Sequence, residues 1–198
     1  MKSIESLLEK VIELKKKGLT EREIGEELHL STETITWLLT RGIEEEMPID
    51  IKIGWRSVGV FGRRIETLSF AIMDVIEEEM VKRDVDVDVA VGIALNGIPY
   101  ATCISNLMDI ELAIYRPPQD KDSLGTFSSN YASVSGKNVV FIDDVLSTGH
   151  TLMSAIKTVR HDNGNPVLAV VIVNKTPHND IMGVPLRALI RARIIRPK

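Results

Sequence analysis

Two adjacent carboxylates close an apolar run and open a loop of small polar residues in Val139-Val140-Phe141-Ile142-Asp143-Asp144-Val145-Leu146-Ser147-Thr148-Gly149-His150-Thr151. No other stretch constrains the chain as much. The run Val139 to Ile142 suits a strand covered on both faces, as in a parallel sheet. Asp143 and Asp144 are expected where that strand ends, and in open α/β sheets ligands bind outside the carboxyl ends of strands. Ser147, Thr148, Gly149 and Thr151 are what a turn needs if its backbone N–H groups are to wrap an anion at a helix N-terminus. A ligand carrying both a phosphate and vicinal hydroxyls would use all of these residues. An ordinary strand-to-helix turn needs Asp or Ser as a cap. A cap explains one polar residue in this stretch and not six.

The stretch resembles the phosphoribosyl-diphosphate (PRPP) binding motif of type I phosphoribosyltransferases. In that motif an acidic pair precedes a Thr/Ser-Thr-Gly-x-Thr loop, in the fixed order strand, acids, loop, helix. The resemblance implies an α/β fold, a central mostly parallel sheet flanked by helices. It implies PRPP contacts from Asp143, Asp144, Val145, Leu146, Ser147, Thr148, Gly149, His150 and Thr151. It also implies Mg²⁺, held indirectly by Asp143 and Asp144 through the bound ligand.

At 198 residues the chain has room for one domain and a small appendage. Its single cysteine, Cys103, rules out an intrachain disulfide and a multi-cysteine metal site, and fits a reducing cytoplasm. No apolar run approaches the roughly 18 residues of a membrane span.

Residues 4–17 carry a helical apolar pattern (Ile4, Leu7, Leu8, Val11, Ile12, Leu14), with Lys15, Lys16 and Lys17 in the last turn and Gly18 as the stop. Thr20-Glu21-Arg22-Glu23 is a capping box opening a second helix. Gly25 is costly inside that helix unless another helix passes close to it. Ser31 opens a third helix with Ile35, Leu38 and Leu39 inward. The run Leu19 to Ile35 resembles the helix-turn-helix of many prokaryotic regulators. The resemblance makes Ser31 to Arg41 the recognition helix, with Ser31, Thr32, Glu33, Thr36 and Arg41 toward double-stranded DNA. Through Met47, however, seven basic residues face eleven Glu. Phosphate neutralisation supplies most DNA affinity, so such a domain is unusually acidic for a reader. A helical dimerisation module is the other reading.

Gly42 to Ile53 is the expected boundary, dividing residues 1–44 from 49–198. Ile49, Ile51 and Ile53 alternate as in a strand, and Gly54 to Gly59 reads as a turn and a further extended piece. Trp55 is either core or a stacking surface. A helix follows Arg63 and Arg64, with Ile65, Leu68, Ala71, Ile72, Val75 and Ile76 inward. Val85 to Ile93 reads as the first central strand. It runs into Ala94-Leu95-Asn96-Gly97-Ile98-Pro99 and a helix with Pro99 near its first turn. In the resembled family this loop binds pyrophosphate, through Leu95, Asn96 and Gly97 here, and often holds a non-proline cis peptide, expected near Leu95–Asn96.

Glu111 to Tyr115 is the next strand. The polar segment Arg116 to Thr126 falls where the family has a loop that closes over substrate. That loop carries basic residues and a His in orotate enzymes. Here it offers Lys121 and no His, beside Arg116 as a phosphate contact. One Lys between Asp120 and Asp122 leaves the loop poorly equipped to neutralise departing pyrophosphate. Lys175, after the strand Val167 to Val173, stands where orotate enzymes hold the base with an Arg, and Lys is no bidentate substitute. Leu186 to Ile195 alternates apolar residues with Arg187, Arg191 and Arg193. It reads as an edge strand with a solvated basic face, or as a surface toward DNA or ligand.

Together these runs resemble the archaeal orotate-phosphoribosyltransferase-like transcriptional regulators associated with sugar catabolism. Trp55-Arg56-Ser57-Val58-Gly59 and Ile114-Tyr115-Arg116-Pro117 are the local runs most like that group. The resemblance implies a cytoplasmic homodimer that binds a DNA operator and senses PRPP or a related phosphoribosyl metabolite. A second reading is an active phosphoribosyltransferase using Mg-PRPP, orotate first, with Lys121, Asp143 and Asp144 catalytic. A purine-type regulator or a salvage enzyme is a third.

Overall fold

The computed structural model describes residues 4–40, 50–118 and 123–193. They divide into two compact units, with the break between Trp55 and Arg56. The expected boundary at 44–49 lies outside the described residues.

The first unit is all-helical: α1 (Ile4–Lys16), α2 (Glu21–Leu28) and α3 (Thr32–Thr40). Its core is Val11, Leu14, Ile24, Leu28, Leu30, Ile35 and Leu38. Gly18 stops α1 at φ +90°, a backbone that side chains resist. The capping box forms in full: Thr20 Oγ1 accepts from the Glu23 N–H at 3.3 Å, and the Thr20 N–H donates to Glu23 Oε2 at 2.8 Å. This pairing holds the Glu23 carboxyl below its usual pKa. Gly25 is needed because a Cβ there would stand 2.8 Å from the Leu30 carbonyl and 3.8 Å from the Thr32 nitrogen. The tight neighbour is thus the turn into α3. His29 makes that turn in the left-handed region, φ 54°.

Of the residues expected to be a strand at 49–53, the described ones, 50–53, are not one. Ile49 lies outside the described residues, and Ile51 and Ile53 have no strand partner. Asp50 is drawn to the third helix instead: its Oδ2 accepts from the Ser31 N–H at 2.6 Å and from Thr34 Oγ1 at 3.1 Å. A segment whose polar groups are satisfied this way has no need of a ladder. Trp55 is half-buried, edge-on to His29 at 5.6 Å between centroids, so it serves this small core.

The second unit starts with a helical turn, α4 (Arg56–Gly59), where an extended piece was expected. Then come α5 (Gly62–Arg83), β1 (Val89–Ile93), α6 (Ile98–Met108), β2 (Glu111–Arg116), β3 (Thr126–Phe127), β4 (Asn138–Leu146), α7 (His150–His161), β5 (Asn165–Asn174), β6 (Asp180–Ile181) and β7 (Val184–Arg191). The strands form one sheet in the order β3-β2-β1-β4-β5-β7-β6. The five central strands are parallel, and the two-residue β3 and β6 run antiparallel at the edges. Odd positions Val89, Val91, Ile93, Val139 and Phe141 bury toward Leu152, Ala155, Ile156 and Val159 of α7. The other face meets α6: a Cβ on Gly92 would touch Ala101 Cβ at 3.0 Å. Along α5, Ile72 and Ile76 are buried as expected, but Ala71 is exposed and Ser69 and Glu79 are buried in its place.

β7 corrects another expectation. Most of its length is an edge, yet Arg187 is not a solvated charge. Its Nε and Nη2 donate to Glu79 Oε1 and Oε2 at 2.8 and 2.9 Å, and the Glu79 side chain is 5% exposed. This acid on the buried side of α5 needs the cation, because a buried carboxylate is costly unless paired.

Candidate phosphoribosyl site at the sheet switch point

All parallel strands end on one side of the sheet, so their carboxyl-end loops are neighbours. β1 lies between β2 and β4, with the chain leaving it first to one side and then to the other. That reversal is the switch point at which open α/β sheets leave a crevice.

The acid pair sits differently from the sequence expectation. β4 continues through Asp143 and Asp144 to Leu146, because β5 pairs with it as far as Asn174. On the other side, pairing to β1 ends at Gly92 and Ile142. The two acids therefore belong to a strand and still stand beyond the end of their neighbour. Asp143 Oδ1 accepts the Asp144 N–H at 2.8 Å, and Asp144 Oδ1 accepts the Val145 N–H at 2.6 Å. Asp143 is half-buried and Asp144 is 4% exposed. Asp144 shares the parity of Val140 and Ile142, facing α6. There the phenol of Tyr100 is pushed up to about 12, first by burial and then by the Asp144 charge. Sequence reasoning missed Tyr100, since nothing in its local pattern points across to β4.

The loop after β1 is pressed onto this place. The Gly97 N–H donates to the Ile93 carbonyl at 2.9 Å, and a Cβ on Gly97 would stand 2.2 Å from the Ile142 carbonyl oxygen. The cis peptide is Ala94–Leu95, one bond before the expected place. Leu95 is exposed and Asn96 half-buried. Arg116 ends β2 one residue past the Ile93–Tyr115 pairing, beside this loop.

After β4, Ser147, Thr148 and Gly149 turn the chain into α7, which starts at His150. Gly149 takes φ 86° and no side chain caps the helix. The N-terminal amides of α7, the helix dipole and the hydroxyls of Ser147, Thr148 and Thr151 thus suit an anion. His150 is exposed, with Nδ1 3.3 Å from Thr148 Oγ1. Lys175 follows β5, its N–H on the Leu146 carbonyl at 2.9 Å. Its turn is anchored by Asn174, which is fully buried. Asn174 accepts from the Thr176 N–H and hydroxyl at 2.7 and 2.8 Å and donates to the His178 carbonyl at 3.0 Å. A polar residue closing the apolar run Val167 to Val173 was the signal for it.

Leu95, Asn96, Gly97, Arg116, Asp143 through Thr151 and Lys175 thus share one end of the sheet. Lys121 lies outside the described residues, as does Arg41. The other expected DNA contacts lie on α3 in the first unit. Ser31 Oγ accepts from the Thr34 N–H at 3.2 Å as a helix cap, and Thr36 Oγ1 donates to Glu21 Oε2 at 2.6 Å. Glu33 is exposed and Thr32 half-buried.

Comparison with known proteins matches residues 65–179 to the phosphoribosyl transferase domain family. Among solved structures, orotate phosphoribosyltransferase from Aeropyrum pernix superposes with a TM-score of 0.59 at 18% identity, over 79% of this chain and 92% of that one. The Mycobacterium tuberculosis orotate phosphoribosyltransferase in complex with PRPP gives 0.54 at 19% identity, over 70% of this chain and 80% of that one. These likenesses fix the fold as type I phosphoribosyltransferase. The transcriptional regulator GfcR of Thermoplasma acidophilum is 53% identical over 98% of both chains, N-terminal helices included. The chain belongs to the GfcR family of archaeal transcriptional regulators, proteins built on a phosphoribosyl transferase domain.

Proposed function

We propose that the chain is a DNA-binding transcriptional regulator, reading an operator through residues 1–44 and sensing PRPP or a related phosphoribosyl metabolite through residues 49–198. One observation carries the sensor: the loop after β1 presses on β4 where Gly97 touches Ile142, directly before the acid pair. In this reading the ribose hydroxyls are held by Asp143 and Asp144. The 5′-phosphate lies on Ser147 to Thr151 and the α7 amides. The pyrophosphate lies on Leu95 to Gly97 with Arg116 and Lys121, and Lys175 flanks the position of a base. Two adjacent carboxylates are hard-oxygen donors that suit Mg²⁺. No group of three or more metal-ligating side chains occurs among the described residues, so the cation would arrive with the ligand's own oxygens. Mg²⁺ would neutralise diphosphate charge there.

On the DNA side, Glu33, and Glu21 behind Thr36, favour the amino groups of cytosine and adenine in the major groove over phosphates. Ser31 and Thr32 stand at the phosphate-facing end of α3, and Arg41 follows it. A two-fold operator calls for a homodimer, and the single cysteine suits the cytoplasm.

The test is twofold. PRPP with Mg²⁺ should raise the melting temperature, and replacing both Asp143 and Asp144 by Asn should abolish that rise. Binding of the upstream DNA, followed by fluorescence anisotropy, should shift when PRPP is added. Pyrophosphate release from PRPP with orotate, uracil, hypoxanthine or adenine at ordinary enzymatic rates would establish the transferase reading instead.

A further inference from the structure

The outward face of α5 carries two large apolar residues, Phe70 and Val81, among its polar ones. Arg63, Thr67, Phe70, Asp74, Glu77 and Val81 recur at spacings of four and three, and all are exposed. Phe70 is 49% exposed and Val81 84%; Val60 and Phe61, just before the helix, are 50% and 55%. Exposed large side chains scattered singly need no explanation, but these lie on one helix and the turn before it, with the Arg64 guanidinium 4.4 Å over the Phe61 ring. Arg63 and Arg64 lie in the first turn, where the helix dipole disfavours cations; Asp74, Glu77 and Glu78 occupy the second half, with Lys82 paired to Glu78 one turn on, and Glu66 lies between the two groups. The opposite side of α5 is committed to the protein interior through Ile72, Ile76 and Glu79.

We propose that α5 pairs antiparallel with α5 of a second copy of this chain, about a two-fold axis between Phe70 and Ala71. This rests on the homodimer assigned above and names its surface. In that register Arg63 faces Glu78, Arg64 faces Glu77, Thr67 faces Asp74 and Phe70 faces Ala71. Val81 reaches the shoulder formed by Val60 and Phe61. Each contact occurs twice, as an isologous interface requires. A parallel pairing would set arginines against arginines and acids against acids. The antiparallel one also opposes the two helix dipoles. A 22-residue helix gives a contact about 33 Å long. One helix pair is small among specific interfaces, so the dimer dissociates on dilution.

Sedimentation of the full chain over a concentration series tests this. Arg63→Glu alone and Glu78→Arg alone should each raise the dimer dissociation constant about tenfold, since each turns two exposed attractions into repulsions. The two together should recover most of the loss, because both copies of the Arg63–Glu78 contact are then reversed and again complementary, while the intrahelical Lys82–Glu78 pair is lost with Glu78→Arg in either background. Phe70→Glu should leave a monomer, with circular dichroism confirming its fold. A wild-type monomer throughout the series would overturn the proposal. So would a dimer indifferent to Arg63→Glu and Glu78→Arg, or a combined variant no better than the single ones. If PRPP and DNA fail to bind in every form while the charge reversal still rescues the dimer, the α5 surface stands and the functional reading falls.

Discussion

Gly97 is held against the carbonyl of Ile142 so closely that a methyl group at its Cα would stand 2.2 Å from that oxygen, and 2.8 Å from the carbonyl oxygen of Ile93. Two strand backbones leave no room to give. Gly97→Ala should therefore cost about 1–3 kcal/mol or more by overpacking, and should move the loop away from the acid pair. Urea denaturation checks the first effect and the loss of PRPP-dependent thermal stabilisation the second. Gly59→Ala is the control, since a Cβ there meets nothing within 4 Å.

Gly25→Ala sets local propensity against packing. In an isolated helix the change gains about 1 kcal/mol. In this unit the methyl group falls 2.8 Å from the Leu30 carbonyl, in the turn that sets α3 against α2. Packing should win, and thermal melting should show a net loss. A stabilised Gly25→Ala protein would mean that the turn can shift at little cost.

Breaking the Glu79–Arg187 pair should be expensive on one side. Arg187→Ala leaves a 5% exposed carboxylate without its cation, while the Arg187 side chain itself is 37% exposed. The loss should be about 2–3 kcal/mol, below the range for a fully buried pair. Replacing both, Glu79→Gln with Arg187→Met, should recover most of it, as a double-mutant cycle of denaturation midpoints would record.

Tyr100 offers a readout of the site by pH. Burial first, and the Asp144 charge second, push its phenol up to about 12. The folded state thus prefers the neutral phenol. Its contribution is intact below the ordinary tyrosine pKa near 10 and is lost as pH rises from there toward 12. Asp144→Asn should bring the titration down part of the way, leaving the burial effect, which absorbance at 295 nm would follow with Tyr100→Phe as the blank. An unchanged titration would show that the Asp144 charge does not reach the phenol.

Helix stability should depend on acid pH in the first unit as well. The Thr20 capping bonds hold Glu23 below its usual pKa. A depressed carboxyl stabilises the fold above its unfolded pKa and loses that contribution as pH falls through the folded value. Glu23→Gln should flatten the acid side of the melting profile, measured by circular dichroism.

The sequence by itself determined the local pieces. The capping box at Thr20, the stop at Gly18, the glycine turn into α7 and most of the order of strands and helices follow from side chains acting on their own backbone. Such rules operate over a few residues, so they can be read directly. Only the tertiary structure decided what depends on distant partners. β4 runs on through Asp143 and Asp144 because β5, not β1, continues beside it. Asp50 leaves the expected strand because Ser31 and Thr34, sixteen or more residues away, offer it better hydrogen bonds. Arg187 is drawn from solvent by Glu79, 108 residues distant, and Tyr100 feels Asp144 from the facing helix. The acid pair announced a sugar-phosphate site in one dimension. The fold turned it into a place where strand end, anion loop and helix amides meet, because parallel strands bring all their carboxyl ends to the same side.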